Sequence, residues 1–239
     1  MVDLFRFHDR ADGGRRLAAQ LSDYAGRSDV IVLGLPRGGL VVAHEVAIAL
    51  NAPLDVFPVR KLGVPGHPEL AMGAVAGGGI EVLNREVLAE LALSNAAVRE
   101  VAARERLELE RREVLYRGNR PAPVVRGRVV ILVDDGLATG STMQAALLAL
   151  RQQEPARLVA AVPVGAREAC EQLAAIADQV VCIMMPEPFR AVGLWYEDFD
   201  QTTDEEVRRR LLAHQSAVEA SQESHDREPI GAFDAPDER

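Results

Sequence analysis

The sequence predicts a doubly wound α/β fold in which helices flank a mostly parallel sheet. Three observations support this class. Short apolar segments typical of strands alternate with segments of helical periodicity, and two of these strands end in glycine-rich loops that lead into a helix. The run 129–133 is uniformly apolar, as expected for a strand covered on both faces. With 239 residues, 48% of them hydrophobic, the chain can bury a core of this kind.

The elements follow from the spacing of apolar residues. A first helix is predicted over residues 12–25, because Leu17, Leu21 and Tyr24 recur at helical spacing. The predicted elements that follow are a strand at 30–33, a helix at 41–50, a strand at 54–59, a hairpin at 71–76 and 80–83, a strand at 129–133, a helix after Thr142, a strand at 158–164, a helix at 167–177 and a strand at 180–184.

Residues 71–117 form a predicted insertion in this alternating pattern. The hairpin has a turn of three glycines, and the stretch 84–117 is a long helix-forming arm in which Ser94 could cap the second part. One hypothesis is that the arm covers a site or builds a homo-oligomer. The alternative is a solvated amphipathic helix lying on the fold. The main domain is predicted to span 1–214.

Composition narrows the class of protein. The formal net charge is −9, and the absence of a basic surface argues against broad nucleic-acid binding. The acidic, proline-containing tail at 215–239 is expected to be disordered. Because the sequence contains neither an apolar run of transmembrane length nor a signal-peptide core, we expect a cytoplasmic protein without a membrane partner. Cys170 and Cys182 are expected to be reduced core thiols.

The run 129–142 joins a strand, two carboxylates and a loop of the size of a phosphate group. Asp134 and Asp135 follow the strand at the edge where open α/β sheets bind ligands, and two carboxylates can hold two neighbouring hydroxyl groups. The next helix presents free N–H groups, which attract phosphate. An ordinary capped strand-turn-helix is the alternative. Turn glycines and hydroxyl-bearing residues make up the loop: Gly136, Thr139, Gly140, Ser141 and Thr142.

This run resembles the signature of the type I phosphoribosyltransferases, which consists of a hydrophobic strand, an acidic pair and a Thr-Gly-x-Thr loop. The resemblance implies that Asp134 and Asp135 act in catalysis and hold the ribose hydroxyls of phosphoribosyl pyrophosphate (PRPP). It also implies Mg²⁺ as a cofactor, contacted by the same two residues mostly indirectly. The residues that it implies for the 5-phosphate are Ala138, Thr139, Gly140, Ser141 and Thr142.

A second candidate anion loop, residues 33–40, also lies between a strand and a helix. Gly38 and Gly39 allow backbone N–H groups to approach an anion, and Arg37 carries a permanent charge. A plain helix-entry turn is the alternative. The Arg-Gly-Gly triplet resembles the pyrophosphate loop of purine phosphoribosyltransferases. This resemblance implies a catalytic role for Arg37, PRPP binding by both glycines, and a cis peptide bond between Pro36 and Arg37.

Residues 59–70 are a third candidate. Arg60 and Lys61 are adjacent cations at a strand end, and the glycines and prolines beyond them predict a mobile loop. In related transferases such a loop covers the pyrophosphate, which implies a PRPP-binding role for Lys61. An exposed linker is the alternative.

The richest aromatic cluster of the chain lies in residues 185–199. It resembles the hood of hypoxanthine-guanine phosphoribosyltransferases, a segment that covers the acceptor, and the resemblance implies a hood over 185–203. It further implies that Phe189 and Trp195 stack on the acceptor and that Glu197 or Asp198 contacts a metal-bound water. The alternative is a small satellite core formed by Phe189, Trp195 and Phe199.

The function implied by the resemblance is that of a transferase of nucleotide metabolism. Such an enzyme displaces pyrophosphate from PRPP with a nucleobase or another nitrogen nucleophile, with Mg²⁺. The hypothesis from another class is a non-catalytic regulatory protein of the same fold that senses PRPP or a nucleotide. A phosphatase or kinase is disfavoured, because the sequence contains no Gly-x-x-x-x-Gly-Lys loop.

Overall fold

The computed structural model describes residues 5–91 and 93–226. Its strands are β1 (Val30–Gly34), β2 (Leu54–Val56), β3 (Val59–Val64), β4 (His67–Ala76), β5 (Ile80–Leu83), β6 (Val129–Val133), β7 (Arg157–Val164) and β8 (Gln179–Met184). Its α-helices are α1 (Arg10–Ala19), α2 (Gly38–Leu50), α3 (Arg85–Glu90), α4 (Asn95–Arg117), α5 (Ser141–Arg151), α6 (Arg167–Leu173) and α7 (Asp204–Asp226).

The main sheet is parallel, in the order β2-β1-β6-β7-β8. Strand β6 lies at its centre and is buried at every position. Val129, Ile131 and Val133 pack with residues of α1 and α2, whereas Val130 and Leu132 pack with residues of α5 and α6. Because successive side chains point to opposite faces of a strand, helices cover both faces of the sheet. The predicted doubly wound fold is confirmed.

A second sheet is antiparallel and contains β3, β4 and β5. The hairpin predicted at 71–76 and 80–83 is confirmed as β4 and β5. The prediction of a mobile loop over 59–70 is wrong, because β3 and β4 pair there. Leu62 and Val64 alternate with more exposed residues and are buried, and Gly66 makes the turn with a φ of +83°.

The helical arm lies on this small sheet. The Ser94 hydroxyl accepts a hydrogen bond from the Ala97 N–H at 3.2 Å, which confirms the predicted cap of α4. Buried residues of α4, among them Val98 and Val101, pack with residues of β3 and β4. The alternative of an amphipathic helix lying on the fold therefore describes the position of α4.

Several predicted boundaries need correction. Helix α1 ends at Ala19 and is followed by a 3₁₀ turn over Ser22–Tyr24, strand β2 ends at Val56, and α6 ends at Leu173. The sequence predicts later ends for these elements, at residue 25 for the first helix, residue 59 for the strand and residue 177 for the later helix.

The prediction that disorder begins at residue 215 is wrong for residues 215–226, because α7 continues to Asp226. Val207 and Leu211 of this helix are buried and pack with Leu40 of α2 and Val56 of β2. The rest of the predicted tail, residues 227–239, lies outside the described residues. Among the helices of the described ranges, none is both long and apolar enough to cross a membrane.

Candidate active site

The two predicted anion loops lie side by side. Strands β1 and β6 are parallel neighbours whose last residues, Gly34 and Val133, are paired. The N–H of Leu35, which opens the first loop, donates to the Val133 carbonyl at 2.9 Å. The helices after these loops, α2 and α5, therefore begin at the same edge of the sheet, as expected at the ligand-binding edge of an open α/β fold.

The first loop packs directly against the acidic pair. A Cβ atom on Gly38 would overlap the Oδ2 atom of Asp135, and one on Gly39 would lie 2.8 Å from the Oδ1 atom of Asp134. Both glycines are therefore required for the close approach of the two loops. The peptide bond between Pro36 and Arg37 is cis, as the resemblance implied.

The acidic pair itself is tightly held. The backbone N–H of Asp135 donates to Asp134 Oδ1 at 2.9 Å, and the Tyr196 hydroxyl donates to the carbonyl oxygen of Asp135 at 2.6 Å. Burial, together with the negative charge of Asp135, raises the pKa of Asp134 well above its ordinary value. An ionised pair at this position therefore favours any ligand that brings positive charge or hydroxyl donors.

Sequence reasoning missed Arg10, which contacts this pair. Its Nε atom lies 2.8 Å from Asp135 Oδ2, and its guanidinium carbon lies 3.7 Å from the centre of the Phe199 ring. Arg10 is the first residue of α1, where a cation opposes the helix dipole. The helix predicted from the sequence begins at residue 12, so no local signal placed Arg10 at a helix terminus or pointed to its partner.

The second loop forms the wall of a pocket of about 190 Å³, which Asp134 and Val192 of the hood also line. The predicted phosphate-binding residues, 138–142, all lie on this pocket. Gly140, the N-cap residue of α5, has a φ of +70° and no side chain with which to cap the helix, and the Ser141 N–H makes a long contact of 3.4 Å with the Thr139 hydroxyl. The Thr139 hydroxyl contacts that of Ser141 at 3.2 Å.

The two predicted cations differ in their surroundings. Arg37 is half-buried at the start of α2, and within the described part of the chain no carboxylate pairs with its guanidinium. Lys61 is an exposed residue of β3, rather than part of a loop, and lines a slot shared with Ser141 of the second loop. Its neighbour Arg60 is engaged by Glu105 at 2.6 Å. The structure therefore brings Lys61 towards the phosphate loop.

The aromatic residues of the hood form a satellite core. Phe189, Trp195 and Phe199 pack around the buried pair Phe7 and Tyr196, so the alternative of a small core describes their position. The Trp195 Nε1 atom is buried and has no hydrogen-bond partner among the described residues.

The two acidic hood residues proposed for a metal-bound water have partners of their own. Glu197 accepts from His8 Nδ1 at 2.9 Å, and Asp198 Oδ1 accepts from the Asp200 N–H at 3.1 Å. The predicted roles of Phe189 and Trp195 in stacking, and of Glu197 or Asp198 near a metal, remain predictions.

The acidic pair suits a magnesium ion that the ligand helps to hold. No group of three or more metal-binding side chains in the ranges 5–91 and 93–226 is arranged to hold a metal ion. Mg²⁺ typically keeps several waters and is bound through one or two carboxylates together with phosphate oxygens of the substrate. Asp134 lines the pocket beside the 138–142 loop and Asp135 is its neighbour in the chain, so two adjacent carboxylates fit this mode.

Comparisons with known proteins identify the family of this chain. A family model described as the phosphoribosyl transferase domain matches residues 3–194. The chain is 46% identical over 215 residues to proteins of two Mycobacterium tuberculosis strains, MT0597 and Rv0571c, provisionally named phosphoribosyl transferases. The match covers 90% of this chain and 48% of those proteins, so the chain spans about half the length of the curated relatives it matches.

A solved structure shows the same fold. The protein TT1426 from Thermus thermophilus is 47% identical in sequence, with a TM-score of 0.80, and the match covers 87% of this chain and 99% of that one. The family model spans both anion loops and the acidic pair, as well as most of the hood. The chain therefore belongs to the phosphoribosyl transferase domain family.

Proposed function

We propose that this protein transfers the phosphoribosyl group of PRPP to a nucleobase or another nitrogen nucleophile, with Mg²⁺, in the cytoplasm. The observation that carries the proposal is the position of the acidic pair, Asp134 and Asp135, between the N-termini of α2 and α5, whose N-cap residues make no side-chain cap. Carboxylates that can bind hydroxyls stand between two sites for phosphate groups, which is the order of groups along PRPP.

Each part of PRPP has a proposed partner. Asp134 and Asp135 accept hydrogen bonds from the 2- and 3-hydroxyls of the ribose. The 138–142 loop binds the 5-phosphate in the pocket of about 190 Å³. Arg37 is catalytic in this proposal, because its guanidinium, which pairs with no carboxylate of the described residues, offsets the charge that develops on the leaving pyrophosphate. Gly38, Gly39 and Lys61 complete the pyrophosphate site.

The reaction breaks the bond between C1 of the ribose and the pyrophosphate oxygen, which leaves with the bonding electron pair. The acceptor nitrogen supplies the electron pair for the new bond to C1, and its proton is lost to solvent. Positive charge develops on the ribose during this exchange, close to Asp134 and Asp135. Because these carboxylates are crowded and partly buried, a cationic ribose relieves their repulsion more than the neutral substrate does.

When bound, Mg²⁺ supplies charge neutralisation on the pyrophosphate. Asp134 and Asp135 are the residues of this chain that would hold it, mostly through water molecules and the ligand. Arg10 keeps one oxygen of Asp135 occupied.

The acceptor is proposed to bind beneath the hood. Phe189 and Trp195 line the aromatic cluster there, and the buried Trp195 Nε1 has a hydrogen to donate. A planar heterocycle with an acceptor atom fits this chemistry, because aromatic rings stack and an unpaired buried N–H is stabilised by a hydrogen-bond partner.

The binding half of the proposal is tested by calorimetric titration of PRPP, with Mg²⁺ and with a chelator, into the wild-type protein and the variant T139A/S141A. We expect saturable binding to the wild type that Mg²⁺ strengthens, and binding at least tenfold weaker to the variant, which lacks two hydroxyl donors of the phosphate loop. R27A is a matched control, because Arg27 pairs with Asp29 on the surface. Equal PRPP binding by the wild type and T139A/S141A would contradict the assignment of the loop.

A further inference from the structure

We propose that Arg10 is a positioning residue of this site, which holds the Asp135 carboxylate in its ribose-binding orientation and ties it to the hood. The inference rests on the proposed function, because it assigns Asp135 to the ribose. It adds a residue of α1, far from the signature run in sequence, to the machinery of the reaction.

The planar guanidinium group of Arg10 makes hydrogen bonds along its edge and packs on an aromatic ring with its face. Its Nε atom donates to Asp135 Oδ2 at 2.8 Å, and its NH1 atom donates to the carbonyl oxygen of Asp200 at 2.7 Å. The central carbon of the guanidinium lies 3.7 Å from the centre of the Phe199 ring. The Arg10 and Asp135 side chains are only 12% and 18% exposed, so water screens this ion pair weakly.

The same part of the molecule also holds the backbone of Asp135. Tyr196 donates its hydroxyl to the Asp135 carbonyl at 2.6 Å, and Phe7 pairs with Tyr196 in an isolated parallel bridge. The N-terminal segment and the hood therefore form one unit that contacts Asp135 at its carboxylate and at its carbonyl. Arg10 supplies the charged contact of this unit.

This arrangement leaves one oxygen of Asp135 for the ligand. Arg10 occupies Oδ2, and among the described residues no side chain donates to Oδ1. A carboxylate fixed at one oxygen loses its rotational freedom before the ribose binds, so less conformational entropy is lost on binding. A Cβ atom on Gly38 would lie 2.7 Å from the Arg10 Nε atom, so the pyrophosphate loop closes the remaining side of the contact.

The role of Arg10 predicts a split between two ligands. PRPP makes the direct ribose contact to Asp135. Mg²⁺-pyrophosphate instead uses the region of Arg37, Gly38, Gly39 and Lys61, and it would reach Asp135 mostly through water molecules. We expect R10Q to bind PRPP about tenfold more weakly, the change that one lost charge-assisted hydrogen bond produces, and to bind Mg²⁺-pyrophosphate within about twofold of the wild type. A merely structural role would weaken the binding of both ligands together.

The experiment is calorimetric titration of both ligands into the wild type, R10Q, R10K and R15Q. Lysine keeps the charge but lacks the planar fork, so R10K should bind PRPP with intermediate affinity, and it replaces R10Q if that variant does not fold. R15Q is the matched control on the same helix, because Arg15 is 58% exposed and faces Asp12 and Glu45.

Equal PRPP binding by R10Q and the wild type, or an equal loss for both ligands, would overturn the inference alone. A wild-type protein that binds neither PRPP nor pyrophosphate would overturn the proposed function, and the inference with it.

Discussion

Asp134 has opposite effects on stability and on the proposed function. Its pKa is raised above the ordinary value of 3.8 by burial and by the charge of Asp135. A carboxyl group whose pKa is higher in the folded than in the unfolded protein contributes stability that is fully present below the unfolded pKa. That contribution is lost as the pH rises through the folded pKa. Above the folded pKa of Asp134 the ionised carboxylate therefore opposes folding while it serves the ligand.

The first prediction concerns this residue. D134N should abolish PRPP binding. It should unfold at the same temperature as the wild type near pH 4, and at a higher temperature than the wild type at pH 7. Asparagine keeps the oxygen that accepts from the Asp135 N–H but removes the repulsion. The gain should appear as the pH rises through the folded pKa of Asp134, where the wild type has to ionise a buried carboxyl group beside Asp135.

Thermal unfolding as a function of pH measures this gain. D178N is a control of opposite sign, because Arg151 and the Leu158 N–H hold the pKa of Asp178 below its ordinary value. The stability supplied by Asp178 is present above the unfolded pKa and is lost as the pH falls through the folded pKa. The D178N protein should therefore be less stable than the wild type at pH 7. A D134N protein that unfolds well below the wild type at pH 7 would show that Asp134 has a structural role.

The glycines of the site show what a sequence pattern can predict. Gly140 was predicted as a turn residue, and its φ of +70° agrees. Gly136 was given the same reason, but a Cβ there would lie 2.5 Å from Val192 of the hood, so close packing explains it better. Gly38 and Gly39 likewise pack on carboxylates nearly a hundred positions later. Such contacts depend on tertiary structure and are not visible in local sequence.

The second prediction follows from this packing. G39A should weaken PRPP binding by at least tenfold and lower the unfolding free energy by about 1–3 kcal/mol, because its Cβ overlaps the backbone of Asp134. G78A is the control, since Gly78 has a φ of +79° and open space around it. It should cost about 1 kcal/mol through backbone strain and leave PRPP binding unchanged. Calorimetry and denaturant titration separate the two effects, and unchanged PRPP binding by G39A would contradict the account.

At the scale of elements, the arm is joined to the main sheet by a buried ion pair. The Arg117 Nε atom of α4 lies 3.1 Å from both oxygens of Asp55 in β2, and the two side chains are 5% and 13% exposed. Arg117 also donates to Glu113 at 2.9 Å. The contact places the C-terminal end of α4 on the edge strand of the main sheet.

The third prediction tests this connection. R117A should lower the unfolding free energy by about 3 kcal/mol, because it leaves Asp55 buried without its cation. Denaturant titration of R117A, D55N and the double variant provides the measurement. The double variant should lose less than the sum of the single losses, and R111A is the control because Arg111 is 59% exposed. A loss of less than about 0.5 kcal/mol in R117A, the effect of an ordinary surface substitution, would contradict this role.

The hood is the element in which packing and ligand binding overlap. Our fourth prediction compares W195F with W195A in the acceptor kinetics of whichever base is turned over. W195F keeps an aromatic ring but removes the unpaired Nε1–H, so acceptor KM should rise severalfold while PRPP affinity changes little. W195A should also lower the unfolding temperature, because the ring packs in the satellite core. An equal loss of acceptor and PRPP affinity in W195F would argue against a place at the acceptor.

Elements of strong periodicity were predictable, and those that depend on tertiary pairing were less so. The apolar run of β6 and the cap at Ser94 are local signals, and both were predicted correctly. The pairing of β3 with β4 was missed because glycine and proline next to charged residues also describe a loop. Helix α7 was not predicted, and its residues 215–226 were assigned to a disordered tail because of their acidic composition.

At the scale of the whole molecule, one edge of the main sheet gathers parts that are distant in the sequence. The acidic pair, the two anion loops, the hood and the first helix meet there, and the small sheet brings Lys61 towards the phosphate loop. The sequence predicted the acidic pair, both loops and the hood through the signature and its order along the chain. The contribution of α1 could not be predicted, because no local pattern specifies which carboxylate a distant arginine reaches.

The central claim is that this edge of the sheet transfers phosphoribosyl groups from PRPP. The most direct measurement is a phosphorus NMR time course of PRPP with Mg²⁺ and a pool of purine and pyrimidine bases, comparing the wild type with D134N/D135N. We predict that pyrophosphate appears only with the wild type and only when the bases are present. Unchanged PRPP signals with the wild type, without pyrophosphate and without line broadening, would contradict the claim.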